Sequence, residues 1–265
     1  HDYEEFVRGR LPAGLRGPVF GALGAAYPKL DWAPKPLRAK TTLQAIGRST
    51  SDAYFRSVCV IPDELREALY TGEFKHSLQG FRAPDIIRQH MAEAPTAHHL
   101  SRVQYVDMKT YLPGDILTKV DRASMAHGLE VRVPVLDHTF VDWAGGIAPS
   151  AKLKGREGKH IFKRALEPWL PGDVLYRPKM GFAVPLKSWF RGPLADTVRN
   201  RLQGGRLRES GVFEPATIDR LLAQHLSGVR DHTQPIWALL MFAGFLENVD
   251  AASTAGVDAV HRASA

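Results

Sequence analysis

Three stretches hold residues whose types and spacing could do chemistry. In "LPGDILTKVDRASMAHG" (112–128), Asp115, Lys119 and Arg122 fall at i, i+4 and i+7, so on a helix they share one face. Two readings are open. The face could be solvated, with one acid–base pair adding roughly 0.2–0.5 kcal/mol. It could instead line a cleft, where a carboxylate and two cations would orient a substrate bearing both signs of charge. In "LYRPKMGFAVPLKSWF" (175–190), Pro178 fixes φ between Arg177 and Lys179, and Gly181 permits close backbone approach. A lysine on a stiff loop above a wall from Phe182 to Trp189 suits a phosphate, but a basic turn beside an apolar anchor fits equally well. In "LEVRVPVLD" (129–137), Glu130 and Arg132 alternate with valines, which reads as an ion pair pinning an extended segment and partly desolvated between packed side chains.

Other chemistries find no pattern. The histidines His90, His98, His99, His127, His138 and His160 lack metal-ligand spacing, and one cysteine, Cys59, allows neither an internal disulfide nor a sulfur cluster. There is no Gly-x-Ser-x-Gly elbow, Walker loop or dinucleotide fingerprint.

The elements that must position these groups read as mostly α. Residues 1–50 are rich in Pro and Gly, with short helical pieces interrupted at Pro12, Pro18, Pro28 and Pro34. Helix starts fall at Pro62-Asp63 and Ala83-Pro84-Asp85, with Leu65, Leu69 and Tyr70 on one apolar face and Ile86, Ile87 and Met91 on another. Pro113-Gly114 breaks the preceding element. A helix then begins with Asp115 in its first turn, buries Ile116, Leu117, Val120 and Ala123, and stops at Gly128. Residues 129–135 are the best candidate for a short extended piece, and Pro134 keeps it at an edge. Helical patterns resume at 138–144, 158–169, 193–203, 214–227 and 234–248, the last apolar nearly all round and therefore buried. The expected division is one unit over 1–250 and a small, polar, flexible tail over 251–265.

The net charge of +7 is uneven, because 151–180 holds eight Lys and Arg against three acids. Such an excess attracts anions without choosing among nucleotides, nucleic acid and acidic membrane. No stretch approaches the roughly 18 consecutive apolar residues of a membrane helix. The start, "HDYEEFVRGR", lacks an initiator Met and an apolar signal core, and reads as a chain cut from something longer.

Two ordered blocks carry a family resemblance. "YLPGDILTKVDRASMAHGLEVRVPVLD" (111–137) resembles the segment of asparagine-synthetase-type amidotransferases that follows their nucleotide-binding sheet. "FKRALEPWLPGDVLYRPKMGFAVPLKSWF" (162–190) resembles that family's next block, and the spacing between them is the family's usual one. "LRGPVFGALGAAYPKLDWAPKPLRAKTTL" is similar to the exosortase-associated branch of these enzymes, for which the acceptor need not be free aspartate. The resemblance implies an ATP-dependent ligase. It adenylates a carboxylate, usually aspartate, and uses glutamine-derived ammonia to displace AMP. It implies a helical C-terminal portion of an α/β synthetase domain of the ATP pyrophosphatase type, with most of the parallel sheet missing. Lys179 then matches the catalytic lysine that neutralises the phosphates, and Asp115 falls where relatives place an acid facing the acceptor. Lys119, Arg122, Arg177 and Gly181 extend the binding surface.

The family's pyrophosphatase loop Ser-Gly-Gly-x-Asp-Ser and its N-terminal nucleophilic cysteine do not occur in this sequence. ATP and Mg2+ are therefore expected to be held mainly by residues outside the chain, and the chain alone is expected to be inactive. A glutaminase and a nucleotide-binding region are the expected partners, with a homodimer also allowed, in the cytoplasm and without nucleic acid. The competing classes are a basic helical module that binds nucleic acid through 151–180, and a scaffold without chemistry.

Overall fold

The computed structural model describes residues 13–27, 40–155, 157–178 and 184–263. Expectations for Pro12, Pro28, Pro34, Lys179, Gly181 and Phe182 lie outside these residues. The described chain is mostly helical, and its sheet is one two-stranded hairpin, Leu153–Lys154 against Glu157–Gly158. It divides into two compact units.

The first unit is built from 13–27, 40–55 and 82–178. The helix Ala13–Ala26 contains Pro18 rather than ending there. One proline removes a single backbone donor, and close packing against the Lys40–Ile46 helix holds the turn. Glycines make that packing close. A Cβ on Gly24 would stand 2.7 Å from Gln44 Cγ and 3.1 Å from its backbone nitrogen. Helices Thr50–Val58, Ala83–Glu93 and His99–Lys109 close over Tyr54, Ile87, Met91 and Val106, with Phe55 and Val103 packed beside them. Ile86 leaves that face and is exposed, since neighbours in a helix point about 100° apart. Tyr54 donates to the Asp107 carboxylate, and Arg102 donates to the carbonyl of Met91 through Nε at 3.0 Å. Both bonds tie the His99–Lys109 helix, which leads into the Asp115 segment, to its neighbours.

The second unit is built from 56–81 and 184–263. Asp63–Leu69 starts where the sequence marks it and buries Leu69. Leu69 packs with Phe190, Leu202, Leu207, Ile218, Leu221, Ile236 and Leu239. Main-chain bonds seal this core: Thr71 N–H donates to the Val212 carbonyl at 3.0 Å, and Glu214 N–H to that of Leu69 at 2.7 Å. The last helix runs Thr233–Ala263, with its backbone helical across 251–263. It is not buried all round. Ile236, Leu239, Leu240 and Ala243 face the core while Trp237, Met241 and Phe245 are exposed. In the same unit His225 is buried: its Nδ1 accepts from the His232 N–H at 3.1 Å, and its Nε2 meets no hydrogen-bond partner among the described residues. No described helix is long and apolar enough to cross a membrane.

Candidate functional site

Pro113 and Gly114 do not break the chain. The His99–Lys109 helix passes into a π-helical turn, Leu112–Leu117, and then into the α-helix Thr118–Met125. The widened turn relieves the clash between the proline ring and the preceding carbonyls, and the missing N–H is lost to any helical ladder. Gly114 N–H still reaches the Thr110 carbonyl at 2.9 Å, and the Thr118 hydroxyl donates to the Pro113 carbonyl at 2.7 Å. Gly128 ends the element as expected, at φ +65°, with the Leu129 N–H returning to the Ser124 carbonyl at 3.1 Å.

The wider turn also shifts which side chains face inward. Ile116 and Val120 are half-buried, but Leu117 and Ala123 are exposed, so the expected apolar stripe of four is halved. Asp115 and Lys119 do share a face and pair, with Nζ 3.6 Å from Oδ1. Their side chains are 50% and 64% exposed, so solvent screens them and the pair adds little to stability. Arg122 is exposed on the same helix and makes no ion pair among the described residues.

Residues 129–133 form no strand, with Val133 extended at φ −116°, and 134–136 form a 3-10 turn. Glu130 and Arg132 bond at 2.7 Å as foreseen, yet they are 70% and 84% exposed, and Leu129, Val131, Val133 and Val135 are exposed too. The expected desolvation of that pair is not seen among the described residues, where the valines beside it are exposed.

Arg177 follows the short helix Gly172–Leu175, is exposed, and makes no hydrogen bond or ion pair among the described residues. In the second unit Phe190 is 2% exposed and stacked on Trp237, while Trp189, part of the expected wall, is 40% exposed.

A cluster that sequence reasoning passed over lies just before Arg177. Glu157, on the hairpin, approaches His160 Nδ1 with Oε2 at 3.1 Å and accepts from Lys163 Nζ through Oε1 at 3.3 Å. Partial burial alone would raise its carboxyl, but these two hydrogen bonds outweigh it and hold Glu157 below the ordinary glutamate range. Lys163 also lies 5.2 Å from the Tyr176 ring centroid, and the Tyr176 hydroxyl donates to Glu167 Oε1 at 2.6 Å. The signal was in the spacing: 160, 163, 164 and 167 fall on one helical face, with an acid three residues earlier. Among the described residues no three His, Cys, Asp or Glu side chains are placed to hold a metal ion.

The family model described as asparagine synthase matches residues 19–247. The chain belongs to the asparagine synthase family. The match reaches well before the two blocks at 111–137 and 162–190 and takes in the glycine-packed helix pair. The chain is 28% identical over 233 residues to asparagine synthetase (glutamine-hydrolyzing) 1 of Bacillus subtilis, covering 88% of this chain and 35% of that protein. It is 34% identical over 108 residues to the asparagine synthetase (glutamine-hydrolyzing) of Rattus norvegicus, covering 38% and 19%. Over 124 residues it is 33% identical to the amidase chry2 of Gibberella zeae, covering 44% and 18%. This chain thus spans about a third of the length of the Bacillus relative. No solved structure matches it.

Proposed function

We propose that this chain is the C-terminal, largely helical part of the synthetase domain of an ATP-dependent, glutamine-using amidotransferase of the asparagine synthase type. The family match over 19–247 carries this reading. In the complete enzyme a carboxylate oxygen of the acceptor attacks the α-phosphorus of ATP, and pyrophosphate leaves. Glutamine-derived ammonia then attacks the acyl carbon, AMP leaves, and an amide remains. Aspartate or a related carboxylate is the acceptor.

This chain supplies a wall of cations and one acid. Lys179 stabilises the charge that builds on the phosphate oxygens during in-line attack, where a fixed cation in a cleft shielded from water acts most strongly. Arg177 enters the same loop from its exposed position, and Gly181 gives the backbone room to approach. Asp115 faces the acceptor, and Lys119 with Arg122 extend that polar face. The exposure of Lys119, Arg122 and Arg177 leaves their cationic heads open to an anionic ligand. Magnesium is held by residues outside this chain, as are the phosphate-cradling loop and the glutaminase. The enzyme works in the cytoplasm.

The test is product analysis with the complete enzyme, ATP, glutamine and aspartate or a panel of carboxylates. AMP, pyrophosphate and an amide should form together and depend on the acceptor. ADP and inorganic phosphate, or no acceptor dependence, would contradict the reading.

A further inference from the structure

Glu157, His160, Lys163, Glu167 and Tyr176 form a polar lattice at the root of the segment that begins with Arg177. The side chains of Glu157, His160 and Lys163 are 31%, 17% and 24% exposed, more withdrawn from water than the Asp115–Lys119 pair. One ammonium makes two contacts here. It reaches the Glu157 carboxylate at 3.3 Å and lies 5.2 Å from the Tyr176 ring centroid. Tyr176 is held again from its other end, where its hydroxyl donates to Glu167 at 2.6 Å, and Glu167 also takes Arg164 Nε at 3.4 Å. The helix His160–Leu166 therefore grips the hairpin at its start and Tyr176 near its end. Ordinary exposed ion pairs hold little; an ammonium shared between a carboxylate and an aromatic face, partly out of water, holds more.

We propose that Lys163, together with Glu157 and Tyr176, is a positioning residue for amide synthesis. It touches no substrate. It fixes the backbone at Tyr176, and so at Arg177, from which the chain runs through Pro178 to Lys179. This inference rests on the reading of Lys179 given above. A cation that stabilises a transition state depends steeply on placement, and a displacement of about 1 Å can cost on the order of 100-fold in rate.

The experiment is a mutant cycle in the complete enzyme, with steady-state synthesis expressed per folded molecule. Lys163→Met keeps the stem and removes the charge, and should lower kcat on the order of 10-fold while KM for ATP moves less than about twofold. Lys163→Arg should recover most of the rate, because a guanidinium keeps both the carboxylate and the ring contact. Added to Lys179→Ala, Lys163→Met should cost nothing further, since it acts only through that lysine. Wild-type kcat in Lys163→Met, or a loss that adds in full to Lys179→Ala, would overturn the positioning role and leave the Lys179 reading standing. Wild-type synthesis in Lys179→Ala would remove that reading and this inference with it. If Lys163→Met does not fold, Glu157→Gln, which keeps size and drops the charge, enters the same cycle.

Discussion

At the scale of single residues, His225 gives the sharpest pH signal. Its Nδ1 accepts a backbone N–H, so the neutral ring carries its proton on the buried Nε2. Burial first, and the Arg191 cation second, lower its pKa from the ordinary histidine value. The unfolded chain takes up this proton near pH ~6.5, while the folded chain resists, so the unfolded state binds more protons and stability falls as pH drops below about 6.5. Asp231 adds a separate window. Burial would raise its carboxyl, but hydrogen bonds from Thr233 and Lys187 bring it to about 2. Its contribution is present above the unfolded value near ~3.9 and is lost as pH falls toward the folded one. Urea midpoints should therefore be lower at pH 5.5 than at pH 7.5, and equal midpoints would contradict the buried neutral ring. Neither role was legible in the sequence, where His225 sits in an ordinary amphipathic pattern. The Asp115–Lys119 pairing was legible, because i, i+4 spacing alone brings the two together. The Glu157 cluster was only half legible. Its helical face is local, but its contact with Tyr176 crosses a turn that the pattern does not encode.

At the scale of elements, helix starts were the most readable feature. Pro62-Asp63 and Ala83-Pro84 open helices because a proline tolerates the first turn and an acid favours it. Breaks were less readable. Pro18 lies inside a helix, and Pro113 is absorbed by a π turn, since neighbouring packing can outweigh one lost bond. Faces were least readable. Ile86, Leu117 and Phe245 are apolar by type but exposed, because burial is decided by distant partners rather than by local period. Two packing predictions belong here. Leu239 is 1% exposed in the second unit's core, so Leu239→Ala should cost about 2–5 kcal/mol in urea unfolding, and a cost below about 1 would contradict the packing. Gly24→Ala gains up to about 1 kcal/mol of helix propensity, but its Cβ would press on Gln44 backbone as well as side chain. The contact should win, lowering the melting temperature; a rise would contradict the close helix pair.

At the scale of the whole molecule, the exposed apolar side chains have one consistent meaning. Leu129, Val131, Val133 and Val135 are exposed along one segment, and Trp143 and Trp169 are 64% and 73% exposed. The alternating valines of 129–135 read as a packed face from sequence, and we propose that the rest of the synthetase domain covers them. The chain on its own should then bind a hydrophobic dye such as ANS strongly and release no pyrophosphate from ATP with any acceptor. The complete enzyme should do the reverse, and pyrophosphate release by the chain alone would contradict this division of labour. The family was legible from two ordered blocks, whereas the contact of Lys163 with Tyr176 was not. The most direct test of the proposed chemistry is steady-state amide synthesis by the Lys179→Ala complete enzyme, measured beside its melting temperature. Synthesis should fall on the order of 10²–10³-fold with the melting temperature unchanged, glutamine hydrolysis should survive better, and Lys179→Arg should rescue only in part. Near-normal synthesis by a folded Lys179→Ala enzyme would contradict it.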